Sequence, residues 1–212
     1  MKGIIIAAAL LLIYIVFLIW YYGSGKPLSN EEVEQYISII EKRAGGPNAA
    51  TNSATANLRK FGLEDDGKQF FMVSMEKYYD KPQYEDGDRG ISSEDANKRY
   101  AMNTLQLMLL KAGHPYGLFI PLTNLSNINR QDDAYWDNAS VVRYRSRRDF
   151  FDMITSPQWA TGYGNKVAAL SDNPNLPSRE KFAFPIIPIL ALTILLFIGF
   201  ITMVCIYFRP LR

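Results

Sequence analysis

The chain of 212 residues contains a single cysteine, Cys205, and a single histidine, His114. Cys205 lies inside an apolar run near the C-terminus, so the polar part can form neither a disulfide nor a thiolate metal site. One imidazole excludes zinc or di-metal chemistry that needs several histidine ligands within one chain, although it leaves carboxylate sites open. The sequence has no phosphate-cradling glycine loop, nucleophile elbow, dinucleotide fingerprint or CxxC pair. Nor does it have a basic arm. Of its 23 Lys and Arg, three (Lys2, Arg209 and Arg212) lie at the ends, which leaves 20 against 21 acidic residues in the middle. A middle with net charge −1 argues against nucleic-acid binding by charge.

The most informative absence is that of charge from both ends. Gly3 to Tyr22 and Ala183 to Phe208 hold no charged residue, and a mean hydropathy of −0.08 hides them by averaging. A hydrocarbon core of about 30 Å needs roughly 20 helical residues, so each end is predicted to span a bilayer as a helix. Trp20, Tyr21 and Tyr22 form an interfacial belt with no small-x-small cleavage signal, which reads as an uncleaved anchor. Pro185 and Pro188 fall in the first turns of the second span, where a missing amide costs least. Arg209 and Arg212 stop it. The positive flanks place both termini in the cytoplasm and the middle in the periplasm or outside, against the weaker pull of Lys26, Arg179 and Lys181. Spans without carboxylates, lysines or arginines offer no proton relay or gating charge. Gly3 and Ala7, a turn apart, allow close helix approach or are plain filler.

Between the spans, Ser29 and Glu32 have capping-box spacing, and Val33, Tyr36, Ile37 and Ile40 fall on one face of a helix that ends at Lys42, Arg43 and Gly45. This face meets the bilayer surface, a partner or the chain's own domain. Gly45 to Asn57 reads as a linker. Phe70 to Tyr78 alternates as a strand, with Phe71, Val73 and Met75 on one side. Ser92 and Ser93 cap a helix running to Lys111 and Gly113. Strands at Tyr116 to Leu122 and Ala139 to Arg145 follow, then helices opened by Ser146 and by Ser156-Pro157, and a last short strand at Lys181 to Phe184. The order is β-α-β-β-α-β. The predicted class is α+β, a ferredoxin-like domain inserted between two transmembrane helices. Its parts are a first span over 1–22, a juxtamembrane helix and linker over 23–67, the α+β domain over 68–182, a second span over 183–208 and a basic tail over 209–212.

The run VVRYRSRRDFFDMITSPQW from Val141 to Trp159, with KVAAL at Lys166 to Leu170 and the FAFP end, resembles the ferredoxin-like proteins of the dimeric α/β-barrel superfamily, especially its uncharacterised bacterial branch. The resemblance covers residues 68 to 184. It implies a fold and a sheet-to-sheet homodimer. It leaves activity open, because that superfamily spans monooxygenases, haem enzymes, isomerases and plain binding domains.

Arg143, Arg145, Arg147 and Arg148 form the densest basic cluster. Arg143 and Arg145 share a strand face opposite Val142 and Tyr144. They can hold an anion or a partner's carboxylates, or merely pair with Asp149 and Asp152. His114 in a loop is a candidate axial ligand or base, or a plain structural histidine. Tyr116, Trp136, Trp159 and Tyr163 line a pocket or fill a core. The loop acids Asp80 to Asp88 do not match a calcium loop, and Asp65, Asp66, Asp132 and Asp133 are scattered. Asn124-Leu125-Ser126 and Asn138-Ala139-Ser140 are glycosylation sequons that matter only in a eukaryotic lumen.

No catalytic, metal or cofactor set is assigned. The expected function is a membrane-anchored accessory or assembly subunit of a larger, bacterial membrane complex, partnered by the bilayer and other subunits. The alternatives are a tethered enzyme or binder of a hydrophobic ligand such as a quinol or haem, held by His114, Tyr116 and Trp159, and a homo-oligomeric scaffold.

Overall fold

The computed structural model describes residues 2–45, 49–123 and 136–207. Arg209, Arg212, the Asn124 sequon, Asp132 and Asp133 lie outside the described residues. The chain divides into two compact units, one of residues 1–24 with 180–212 and one of residues 25–179.

The first unit holds two helices, α1 (Lys2–Tyr22) and α7 (Ile186–Tyr207), each long and apolar enough to cross a membrane. Most of their large side chains point outward, as a lipid solvent would require and water would not, with Tyr21 buried. Tyr14 donates to the Pro188 carbonyl at 3.3 Å. The helices come close at Gly199, where an added Cβ would sit 2.8 Å from Leu10 Cδ1. The belt residues close α1, with Tyr21 stacked on Phe17 and edge-on to Tyr22.

The second unit starts with α2 (Asn30–Arg43), opened by the expected capping box of Ser29 and Glu32. The predicted linker is instead helical: α3 (Ala49–Leu63) packs on α2. Alanine-rich sequence has helix propensity, and Leu58 and Phe61 supply the apolar stripe that anchors it to the core. The following turn needs glycine at 67, which has φ +72° and no room for a Cβ against the Gly25 carbonyl.

The sheet is antiparallel throughout. Central strand β1 (Phe70–Tyr78) pairs on one side with β3 (Asn138–Tyr144), which pairs in turn with β2 (His114–Phe119). On its other side β1 pairs with β4 (Leu170–Asp172) and then with β5 (Asn175–Ser178). The last strand is therefore Leu170 to Ser178, broken at Asn173 and Pro174. A proline-containing segment is tolerated there because it forms a sheet edge. The strand expected at Lys181 to Phe184 is corrected, since those residues form no strand.

Helices α4 (Ser93–Leu109), α5 (Arg147–Thr155) and α6 (Pro157–Ala169) follow the predicted caps Ser92, Ser146 and Ser156. After α4, Ala112 takes φ 55°, and Gly113 returns its N–H to the Met108 carbonyl at 2.9 Å. The aromatic knot of Phe61, Phe70, Tyr144, Phe150 and Phe151 joins helices to sheet. Val33 and Ile37 are buried in the same core, and residues 25–67 fall in the same compact unit as the sheet.

Candidate functional site

Period-two alternation along β1 puts Phe70, Met72, Ser74, Glu76 and Tyr78 on the helix side of the sheet. Beyond the aromatic knot, the helices stand off from this face and leave a cavity of about 910 Å³. Met72, Leu105, Met108, Leu118, Val142 and Trp159 contribute apolar wall. A polar patch lies at the other end, where β1 carries Glu76 and Tyr78 into the same space. Asn97 donates to Glu76 Oε2 at 2.9 Å and to Tyr78 Oη at 3.3 Å. Asn138 donates to the same two groups, at 3.5 and 2.5 Å. Burial raises the Tyr78 phenol above its ordinary pKa, as it does that of Tyr100. Lys166 also lines the cavity, its ammonium 5.2 Å from the Tyr100 ring centroid, and burial lowers its pKa despite Glu76 nearby. Such a space has the size and the mix of wall and polar anchors typical of small-molecule sites.

Of the predicted site residues, Trp159 and Tyr163 line this cavity, their rings stacked with centroids 4.3 Å apart. His114 and Tyr116 belong to the opposite face of the sheet. Tyr116 meets Phe71 edge-on, and His114 is paired in register with Arg143. His114 Nδ1 lies 3.0 Å from the Pro115 carbonyl; burial and then Arg143 hold its pKa low, which favours neutral imidazole. His114, Tyr116 and Trp159 therefore do not converge on one ligand.

The four arginines also part company. Val142 and Tyr144 do face the helices, which turns Arg143 to the other side. There it is 2% exposed and donates to Gln69 Oε1 at 2.8 Å and to the Ala112 carbonyl at 2.7 Å. Arg145 forks onto Asp149 at 2.7 and 2.6 Å, as in the salt-bridge alternative. Arg147 lies over the Phe61 ring and donates to the Phe61 carbonyl. Arg148 grips Glu32 and the Pro27 carbonyl.

The Val33, Tyr36, Ile37 and Ile40 face is spent inside the domain. Tyr36 stacks on Phe151 and donates to Asp152 at 2.5 Å. Arg43 closes the same seam on the Ile154 and Thr155 carbonyls. Of the three readings of that face, the structure has it against the chain's own domain. Glu76, Tyr78, Asn97, Asn138 and Lys166 were missed. Their signal was present in part, since Glu76 and Tyr78 share the alternating face of Phe70 and Met72, where an acid is out of place.

The solved structure of RPA0582, a protein of unknown function from Rhodopseudomonas palustris, is similar to this chain with TM-score 0.53 and 18% identity, over 65% of this chain and 96% of that one. A structure of methylated RPA0582 gives TM-score 0.52 and 20% identity over 66% and 94%. This likeness is one of fold. No family model matches the chain, and no curated protein is similar to it.

Proposed function

We propose that this protein is a membrane-anchored binding module that holds a small, largely apolar molecule between its sheet and its helices. The observation that carries this reading is the cavity of about 910 Å³ with one concentrated polar end. The strand order β2-β3-β1-β4, with helices covering one face, supports a ferredoxin-like β-α-β-β-α-β domain. Two apolar helices support a two-pass anchor, and the flanking charges support cytoplasmic termini with the domain in the periplasm. Full-length protein extracted from its native membrane should carry a co-purifying small molecule, seen by mass spectrometry after solvent release. Leu105→Trp, which fills the cavity, should lose it with α7 and the fold intact. Wild type and Leu105→Trp giving the same extract would overturn the reading.

A second reading, an accessory subunit of a larger membrane complex, is favoured by the other sheet face. Phe71, Val73, Met75 and Val141 line that face, and Leu176, paired with Val73, is 60% exposed. An apolar sheet face of this kind suits a partner subunit or a second copy. Native mass spectrometry from nanodiscs tests it: stoichiometric foreign subunits support the accessory role, a homodimer supports the scaffold, and a monomer removes both.

A further inference from the structure

Asn97 sets the chemistry at the polar end of the cavity. The residue is 6% exposed, and the two hydrogens of its amide nitrogen go to Glu76 and Tyr78. Its Oδ1 is buried and receives no donor from the described residues. A buried amide oxygen left in this state is costly, so such atoms are met by water or by a ligand. Glu76 accepts both amides on Oε2, which leaves Oε1 for another donor. Tyr78 Oη accepts both amides as well, which leaves its own proton to give. The patch therefore offers two acceptors and one donor within a few ångströms.

Charge narrows the choice further. Glu76 brings one negative charge and Lys166 one positive charge to the same cavity. An added carboxylate would face Glu76, an added ammonium would face Lys166, and either would be buried against apolar wall. A hydroxyl group gives its single hydrogen to one of the two acceptors, Asn97 Oδ1 or Glu76 Oε1, and accepts the Tyr78 proton, without adding charge. We propose that the cavity binds an uncharged amphiphile whose hydroxyl head sits at Glu76, Tyr78 and Asn97 Oδ1 and whose apolar tail lies along Leu105, Met108 and Leu118. This inference rests on the cavity being a binding site and adds the class of ligand.

The test uses the full chain in nanodiscs of zwitterionic lipid and three photoactivatable probes with one diazirine-bearing alkyl tail and a hydroxyl, ammonium or carboxylate head. After irradiation, peptide mass spectrometry gives the label on the cavity segments around Leu105 and Leu118, divided by the label on α7 in the same molecules. That ratio corrects for partition into the bilayer. The hydroxyl probe should exceed the carboxylate probe roughly tenfold and the ammonium probe several-fold, because a site built to exchange hydrogen bonds with a hydroxyl rejects heads that cannot do so. Asn97→Leu should cut the hydroxyl ratio about tenfold. Glu76→Gln, which keeps the shape if Asn97→Leu fails to fold, should shrink the preference over carboxylate to less than about threefold. Equal ratios for all heads, a leading charged probe, or an unchanged preference in Glu76→Gln would overturn the head assignment alone. No cavity label from any probe would overturn the binding site itself.

Discussion

Two isoleucines of α2 offer a paired test of where that helix spends its apolar face. Ile37 is 1% exposed and packed in the domain core; Ile39, two residues on, is 45% exposed. Truncation of Ile37 to alanine removes about three carbons, a transfer loss of about 2.4 kcal/mol at about 0.8 kcal/mol per carbon. The void left in the core that Ile37 shares with Phe151 adds to this, for a total of about 3 kcal/mol. At about 1.4 kcal/mol per tenfold, the opening equilibrium of the domain should rise by roughly two orders of magnitude. Ile39→Ala should change it by less than about 0.5 kcal/mol. Amide hydrogen exchange by mass spectrometry on the full chain in nanodiscs reads both, through protection of β1, β3 and α5. Were α2 held by the bilayer or a partner instead, Ile37→Ala would leave those segments as protected as in the wild type, and the packing argument would fail.

Three further outcomes are expected. The Arg148 guanidinium, with the Ser29 N–H, holds the Glu32 carboxyl at about 2, below its value in an unfolded chain. That stability is present above about pH 4.5 and lost as pH falls towards 2; for a pair about one-third exposed it amounts to about 1 kcal/mol, and acid unfolding of Arg148→Ala should lack this component. Asp149 is 8% exposed in its side chain and takes both Arg145 bonds and the Ser146 hydroxyl, so Asp149→Ala should cost about 3 to 5 kcal/mol by thermal or chemical unfolding. Gly67→Ala should destabilise by more than about 2 kcal/mol, because φ +72° and the Gly25 carbonyl both oppose a Cβ; an unchanged melting temperature would contradict the turn geometry.

Much of the fold was legible because it depends on local chemistry. Four serine caps, at 29, 92, 146 and 156, sit where their spacing to the next backbone N–H demands, and β1 runs over its alternating residues from Phe70 to Tyr78. The errors arose where neighbours override local preference. Gly45 to Asn57 looked like a linker because the helix that begins at Ala49 depends on Leu58 and Phe61 meeting a core built by distant residues. The last strand escaped notice because Pro174 and Pro177 argue against a strand until an edge position makes their missing donors harmless.

The sequence by itself determined the two apolar helices, the caps, the central strand and the α+β class, since length, period and capping act within a few residues of chain. Only the tertiary structure decided which sheet face is covered, that four neighbouring arginines disperse to four separate sets of partners, and that Glu76, Tyr78, Asn97 and Asn138 meet at one end of a cavity. These groups are up to 62 residues apart, and only the pairing of β1 with β3 beneath α4 brings their hydrogen-bonding atoms within reach.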